Sequence, residues 1–136
     1  MAALLVAGMT ALAVAPARAE EDDTPTQRLA VEMIEYRFSP STVQLEAGVE
    51  THLTIINRGR MIHEFEVPYL TDLQVDVENG DLLVAALGLA EVRVAAGKSV
   101  TLVFTPERRG EFPIVCDVKE PAPHKMLGMR GRLVVY

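Results

Sequence analysis

With 136 residues, 49% of them hydrophobic, the chain is long enough to close one core and too short for a second domain of ordinary size. A formal net charge of -6 argues against nucleic acid as a partner. A single cysteine excludes a disulfide within the chain and leaves a thiol whose role has to be found.

Ala3 to Ala15 is almost wholly small and apolar, and Ala17-Arg18-Ala19 is a small-x-small pattern directly before Glu20. This predicts a signal peptide over 1–19, and hence a periplasmic or otherwise exported protein. The run is short for a membrane span, which needs about 20 residues, so no transmembrane span is expected in the mature chain. Residues 20–27 are acidic and polar around Pro25 and predict a disordered leader. The remaining domain is 28–136. In an oxidising compartment cysteines normally pair, so Cys116 is a small buried hydrophobe, half of an intermolecular disulfide, or a ligand.

Hydrophobic alternation from Leu29 to Phe38 predicts a half-buried strand, Ser39-Pro40-Ser41 ends it, and Val43 and Leu45 resume a short one. Glu50 to Asn57 places Leu53 and Ile55 on one face and His52, Thr54 and Ile56 on the other. After the turn Asn57-Arg58-Gly59-Arg60, the run Met61 to Val67 puts His63, Phe65 and Val67 on one side and Glu64 and Glu66 on the other. Two carboxylates on the second register, expected in water, turn His63 inward.

Residues 69–90 do not alternate cleanly. Asn79-Gly80 divides them into an acidic half, expected to be loop, and the run Leu82 to Leu89, whose helix formers and Asp81 cap predict one short helix across the sheet. Strand signals return at Glu91 to Val94, at Ser99 to Thr105 and at Phe112 to Cys116, where Phe112, Ile114 and Cys116 share a face. Met129 to Tyr136 is the last strand. About seven to eight short strands predict an all-β fold, an antiparallel Greek-key sandwich or barrel.

The stretch Cys116 to Met129 concentrates the chemistry. A thiolate, an imidazole (His124) and a thioether (Met129) lie on one loop, and His63 is the second imidazole. A soft sulfur with two nitrogens and a weak axial thioether is the donor set of an electron-transfer copper site.

These residues resemble the cupredoxin family, the plastocyanin-like type 1 blue copper proteins, over about Leu29 to Tyr136. Asn57-x-Gly59 ahead of His63 resembles the turn before that family's first copper histidine. Gly110-x-Phe112-x-x-x-Cys116 resembles the strand that delivers its cysteine. His124 with Met129, flanked by Gly128 and Gly131, is similar to the pattern for the second histidine and the axial methionine. The resemblance implies one copper ion, cycling between Cu(I) and Cu(II), held by His63, Cys116, His124 and, axially, Met129. It also implies electron entry at the His124 edge, with redox partner proteins docking near His124, and a monomer. Two departures stand out: seven residues separate Cys116 from His124, more than in small plastocyanins, and Glu64 stands where the family often has Asn.

Competing readings are weaker. Met126 rivals Met129 as axial donor but follows His124 by only two residues. His52 matches no family ligand and is expected at the surface. The carboxylates Asp72, Asp76, Glu78 and Asp81 could steer a basic partner but suit a solvated loop equally. A copper enzyme such as a nitrite reductase needs a second metal site, for which only His52 is left. A cysteine hydrolase needs its thiol at a helix N-terminus or beside an activating histidine in a cleft, not at a strand end. A periplasmic protein for copper storage, delivery or tolerance could use the same ligands as an electron carrier.

Overall fold

The computed structural model describes residues 24–136. Within them the chain is an all-β sandwich of eleven strands. One sheet contains, in spatial order, β2 (Arg37–Ser39), β1 (Thr26–Ile34), β4 (Glu50–Asn57), β9 (Ser99–Phe104), β6 (Gln74–Asn79) and β7 (Leu82–Leu87). The other contains β3 (Thr42–Leu45), β11 (Arg130–Val135), β10 (Gly110–Val115), β5 (His63–Glu66) and β8 (Glu91–Val94). The expected antiparallel pattern holds except at two places, because β1 runs parallel to β4 and β3 parallel to β11.

Alternation does what period two demands. Thr51, Leu53, Ile55 and Asn57 of β4 are buried while His52, Thr54 and Ile56 are half-exposed. Leu53 and Ile55 stand opposite Leu102 and Val100 of β9, and Val43, Phe65, Ile114 and Leu133 fill the core from the second sheet. Each such side chain contributes about 1.5–3 kcal/mol by leaving water.

Four expectations are corrected. The predicted leader ends two residues early, because Thr26 and Gln27 already belong to β1; the signal region and residues 20–23 lie outside the described residues. The strand expected over Leu29 to Phe38 is two strands, β1 and β2, folded on each other. The helix expected over Leu82 to Leu89 is strand β7, paired with β6 through the tight turn at Gly80-Asp81. Pairing outweighs the helix propensity of Leu and Ala there. The expected loop before it holds a short 3-10 helix, Pro68–Asp72, and then β6, whose Val75 and Val77 do alternate with Gln74, Asp76 and Glu78. Among the described residues, no helix is long and apolar enough to cross a membrane.

The candidate site lies where two connections meet. Val115 of β10 is registered against Glu66 of β5, which brings Cys116, one residue further on, beside the start of β5. The β10–β11 connection then returns over the same end as a 3-10 turn, His124–Leu127.

Candidate metal centre

Asn57 shapes the approach to His63. This side chain is fully buried, and its Nδ2 donates to the carbonyls of Met61 and Val94, each at 2.7 Å. Its Oδ1 accepts from the Gly59 N–H at 2.9 Å. Both amide donors and one of the oxygen's two lone pairs are thereby used, and the 58–62 turn is held to a course that enters β5 with His63 pointing inward.

The 3-10 turn sorts the second half of the site. Gly128 ends it in the left-handed region, at φ 103°, which favours glycine. Met126 is left pointing out, 73% exposed, whereas Met129 is completely buried. The Met129 N–H donates to the His124 carbonyl at 3.1 Å, and its own carbonyl accepts from Cys116 at 3.3 Å. Burial therefore separates the two methionines that spacing alone left in competition.

His63, Cys116 and His124 come together with no solvent exposure at any of the three. The two Nδ1 atoms are 3.1 Å apart. Cys116 Sγ is 3.4 Å from His124 Nδ1 and 3.8 Å from His63 Nδ1. Three donors each about 2.0–2.3 Å from one centre stand about 3–4 Å from one another, so these separations fit a shared metal ion.

The outer nitrogens are arranged differently. His124 Nε2 is 3.0 Å from the carbonyl of Glu120, which makes Nε2 the protonated position and frees Nδ1. The Tyr36 ring packs edge-on against the His124 ring, centroids 4.8 Å apart. The Glu120 carbonyl and the Tyr36 ring thus cover the outer part of His124. His63 Nε2 lies 3.4 Å from Glu35 Oε1. The Met61 N–H donates to the same oxygen at 3.1 Å and the Arg60 N–H also bonds it. Burial acts to raise the Glu35 carboxyl, but these donors more than offset it and hold it below the ordinary range.

Around the sulfur, the Glu64 N–H donates to Cys116 Sγ at 3.3 Å. Glu64 corrects the expectation of a solvated carboxylate, because it is only 3% exposed. It is paired there: Arg93 Nε is 2.8 Å from its Oε1, and its Oε2 accepts from the Asp117 N–H at 3.2 Å. The residue that departs from the family's usual Asn therefore fastens β5 to the cysteine loop. Burial pushes the Cys116 thiol up, with the Glu64 and Asp117 carboxylates adding to it against two backbone donors. His63 is pushed down, first by burial and then by His124, against Glu35. Both shifts favour the neutral form, of the thiol and of the His63 ring.

His52 stays apart, half-buried on β4 with Nε2 3.0 Å from Glu50 Oε1. Glu35 and the Glu120 carbonyl were not legible as site groups, since nothing in their local sequence marks a partner so distant in the fold or so conformational in origin.

Comparison with known proteins places this geometry. The model of the cupredoxin-like domain matches residues 2–135. The chain belongs to the cupredoxin-like domain family. It is 31% identical over 103 residues to the copper-resistant cuproprotein CopI of Rubrivivax gelatinosus, covering 73% of this chain and 59% of that protein; it therefore spans less than two thirds of that relative. Among solved structures, auracyanin B superposes with a TM-score of 0.57 at 21% identity over 85% of this chain and 93% of that one. A multicopper oxidase from Campylobacter jejuni superposes with a TM-score of 0.60 at 16% identity, over 87% of this chain but only 31% of the oxidase. At such identities the likeness to both is one of fold. The group that fits this cupredoxin's buried sulfur and nitrogen donors is one copper ion, since thiolate and imidazole together select copper over the hard cations.

Proposed function

We propose that this cupredoxin-like protein is an exported carrier of single electrons, with copper held by His63, Cys116 and His124 and by Met129 as the weak axial donor. The observation that carries the reading is the buried cluster itself, two imidazole nitrogens and a thiol sulfur 3.1–3.8 Å apart before any metal is added. Bound copper would supply a one-electron couple. The chain's part is to hold the donors still and dry, so that little rearranges when an electron arrives or leaves. Strands β5 and β10 fix His63 and Cys116, and the Gly128-ended turn fixes His124 and Met129. Among the described residues the third histidine, His52, is engaged by Glu50 away from the cluster, which is in keeping with a carrier that has one metal. The exposed Met126 and Leu127 beside His124 offer an apolar face for a redox partner.

Likeness to CopI favours a second reading, copper tolerance through storage or delivery. Copper titration followed by absorption spectroscopy and voltammetry separates the two. A carrier gives an intense thiolate-to-copper band that cycles reversibly and a copper that a chelator removes slowly. Rapid exchange of Cu(I) with no stable coloured form would favour tolerance instead. Cys116→Ser should abolish the band and His52→Ala should keep it. Met129→Leu should keep colour and raise the potential, whereas Met126→Leu should change neither. A potential that moved with Met126 and not with Met129 would overturn the axial assignment.

A further inference from the structure

His63 and His124 differ in what receives their outer proton. His124 turns Nε2 to a neutral backbone carbonyl, that of Glu120. His63 Nε2 is buried, has no aligned hydrogen-bond partner, and faces a carboxylate, Glu35 Oε1, at 3.4 Å. Glu35 belongs to the β1–β2 turn, in the sheet opposite the one that carries His63, and its side chain is 22% exposed.

Its position is built. Backbone N–H groups of Arg60 and Met61 converge on the same oxygen that faces His63, so the carboxylate is held from the side of the 58–62 turn. Gly59 leaves the room for it: a Cβ there would press on Glu35 Oε1 and stand 2.9 Å from His63 Nε2. The residue after Glu35, Tyr36, packs on His124, so one turn backs both imidazoles.

We propose that Glu35 is a positioning residue for the copper centre: it receives the Nε2 proton of His63, keeps Nδ1 bare toward Cys116 and His124, and adds a fixed negative charge that favours the oxidised metal. The proposal rests on the copper reading given above. An outer carboxylate raises the basicity of a ligating imidazole, and losing such a partner typically costs about 10–100-fold in metal affinity. Here the greater loss falls on Cu(II), the more highly charged ion. A single anion is the only such charge that contacts His63 among the described residues.

Two measurements test it. In metal-free protein, nitrogen-15 NMR of His63 should show the Nε2–H tautomer in the wild type and in Glu35→Gln, whose amide oxygen still accepts, and a mixture of tautomers in Glu35→Ala. An unchanged His63 spectrum in Glu35→Ala overturns the positioning role, whatever the metal does. In copper-loaded protein, Glu35→Gln should keep the chromophore and shift the Cu(II)/Cu(I) balance toward Cu(I) by about tenfold, about 59 mV for one electron. Glu32→Gln, which removes an equal charge from the Arg58 pair, is the control and should not move it. Equal potentials in the two variants would overturn the electrostatic role. A wild type with no thiolate-to-copper band would instead refute the copper reading and leave the tautomer measurement to decide on Glu35.

Discussion

The carbonyl of Glu120 bonds Nε2 of His124 at 3.0 Å, so the segment that leads from the cysteine to the second histidine folds back over that histidine's outer edge. Two further contacts hold this cover. The His124 N–H donates to the Val118 carbonyl at 2.9 Å, and Lys125 Nζ pairs with Asp117 Oδ1 at 2.5 Å.

Electron exchange between two copies of the protein should therefore be slow, because neither His124 ring reaches the surface. Replacing residues 119–122 with a shorter link that still joins Val118 to Pro123 removes the Glu120 carbonyl and opens the Nε2 side of the ring, leaving Tyr36 in place. The self-exchange rate, read from NMR line broadening in mixtures of oxidised and reduced protein, should rise. If it falls or stays the same, transfer does not use the His124 edge.

Glu64→Ala should destabilise the metal-free protein by about 1–3 kcal/mol, the range for losing a hydrogen-bond acceptor whose partly buried donor is left alone. That donor is the Asp117 N–H. Arg93→Ala should cost no more than that: it leaves the Glu64 carboxylate, 4% exposed, without its counter-charge, but Arg93 itself is 62% exposed and water takes over part of its role. Urea unfolding of the two variants measures both. A larger loss from Arg93→Ala would mean that the ion pair, not the fastening of the cysteine loop, is what Glu64 supplies.

Copper uptake should release the Cys116 proton at neutral pH. A metal-bound cysteine must be a thiolate, and burial raises the Cys116 thiol so that it is protonated beforehand. His63 is lowered and has no proton to give up at pH 7. Apparent affinity should consequently grow as pH rises, until it passes the raised value of the thiol. A pH-stat titration with copper in unbuffered solution reads the stoichiometry, and release of none would show that Cys116 is not a ligand.

Much of this was legible in the sequence, and for physical reasons. Strands β4, β9 and β10 are buried on one face, so their period of two survives in the residues, and the same alternation in β5 points His63 the way that Cys116 points. β7 carries no such record. It lies at a sheet edge with Leu82, Leu83 and Leu87 all more than half exposed, so neither face imposes polarity and the run imitates a helix. Glu64 misled for a related reason: alternation correctly put it on the other face, but the charge that makes its burial tolerable comes from Arg93, on a strand reached only through the sheet. Glu35 depends on backbone donors, which have no sequence signature at all.

The strand order has a consequence in time. β11 is wedged between β3 and β10, so the second sheet cannot be assembled until the last of its strands has left the ribosome. Long-range pairings of this kind form late and slowly. Until then the turn that carries His124 and Met129 into β11 is not closed over Cys116 and His63, which lie fifty-three residues apart along the chain. The pocket becomes selective only in the finished fold, and which metal or oxidant meets the cysteine is settled by the surroundings in which that folding is completed.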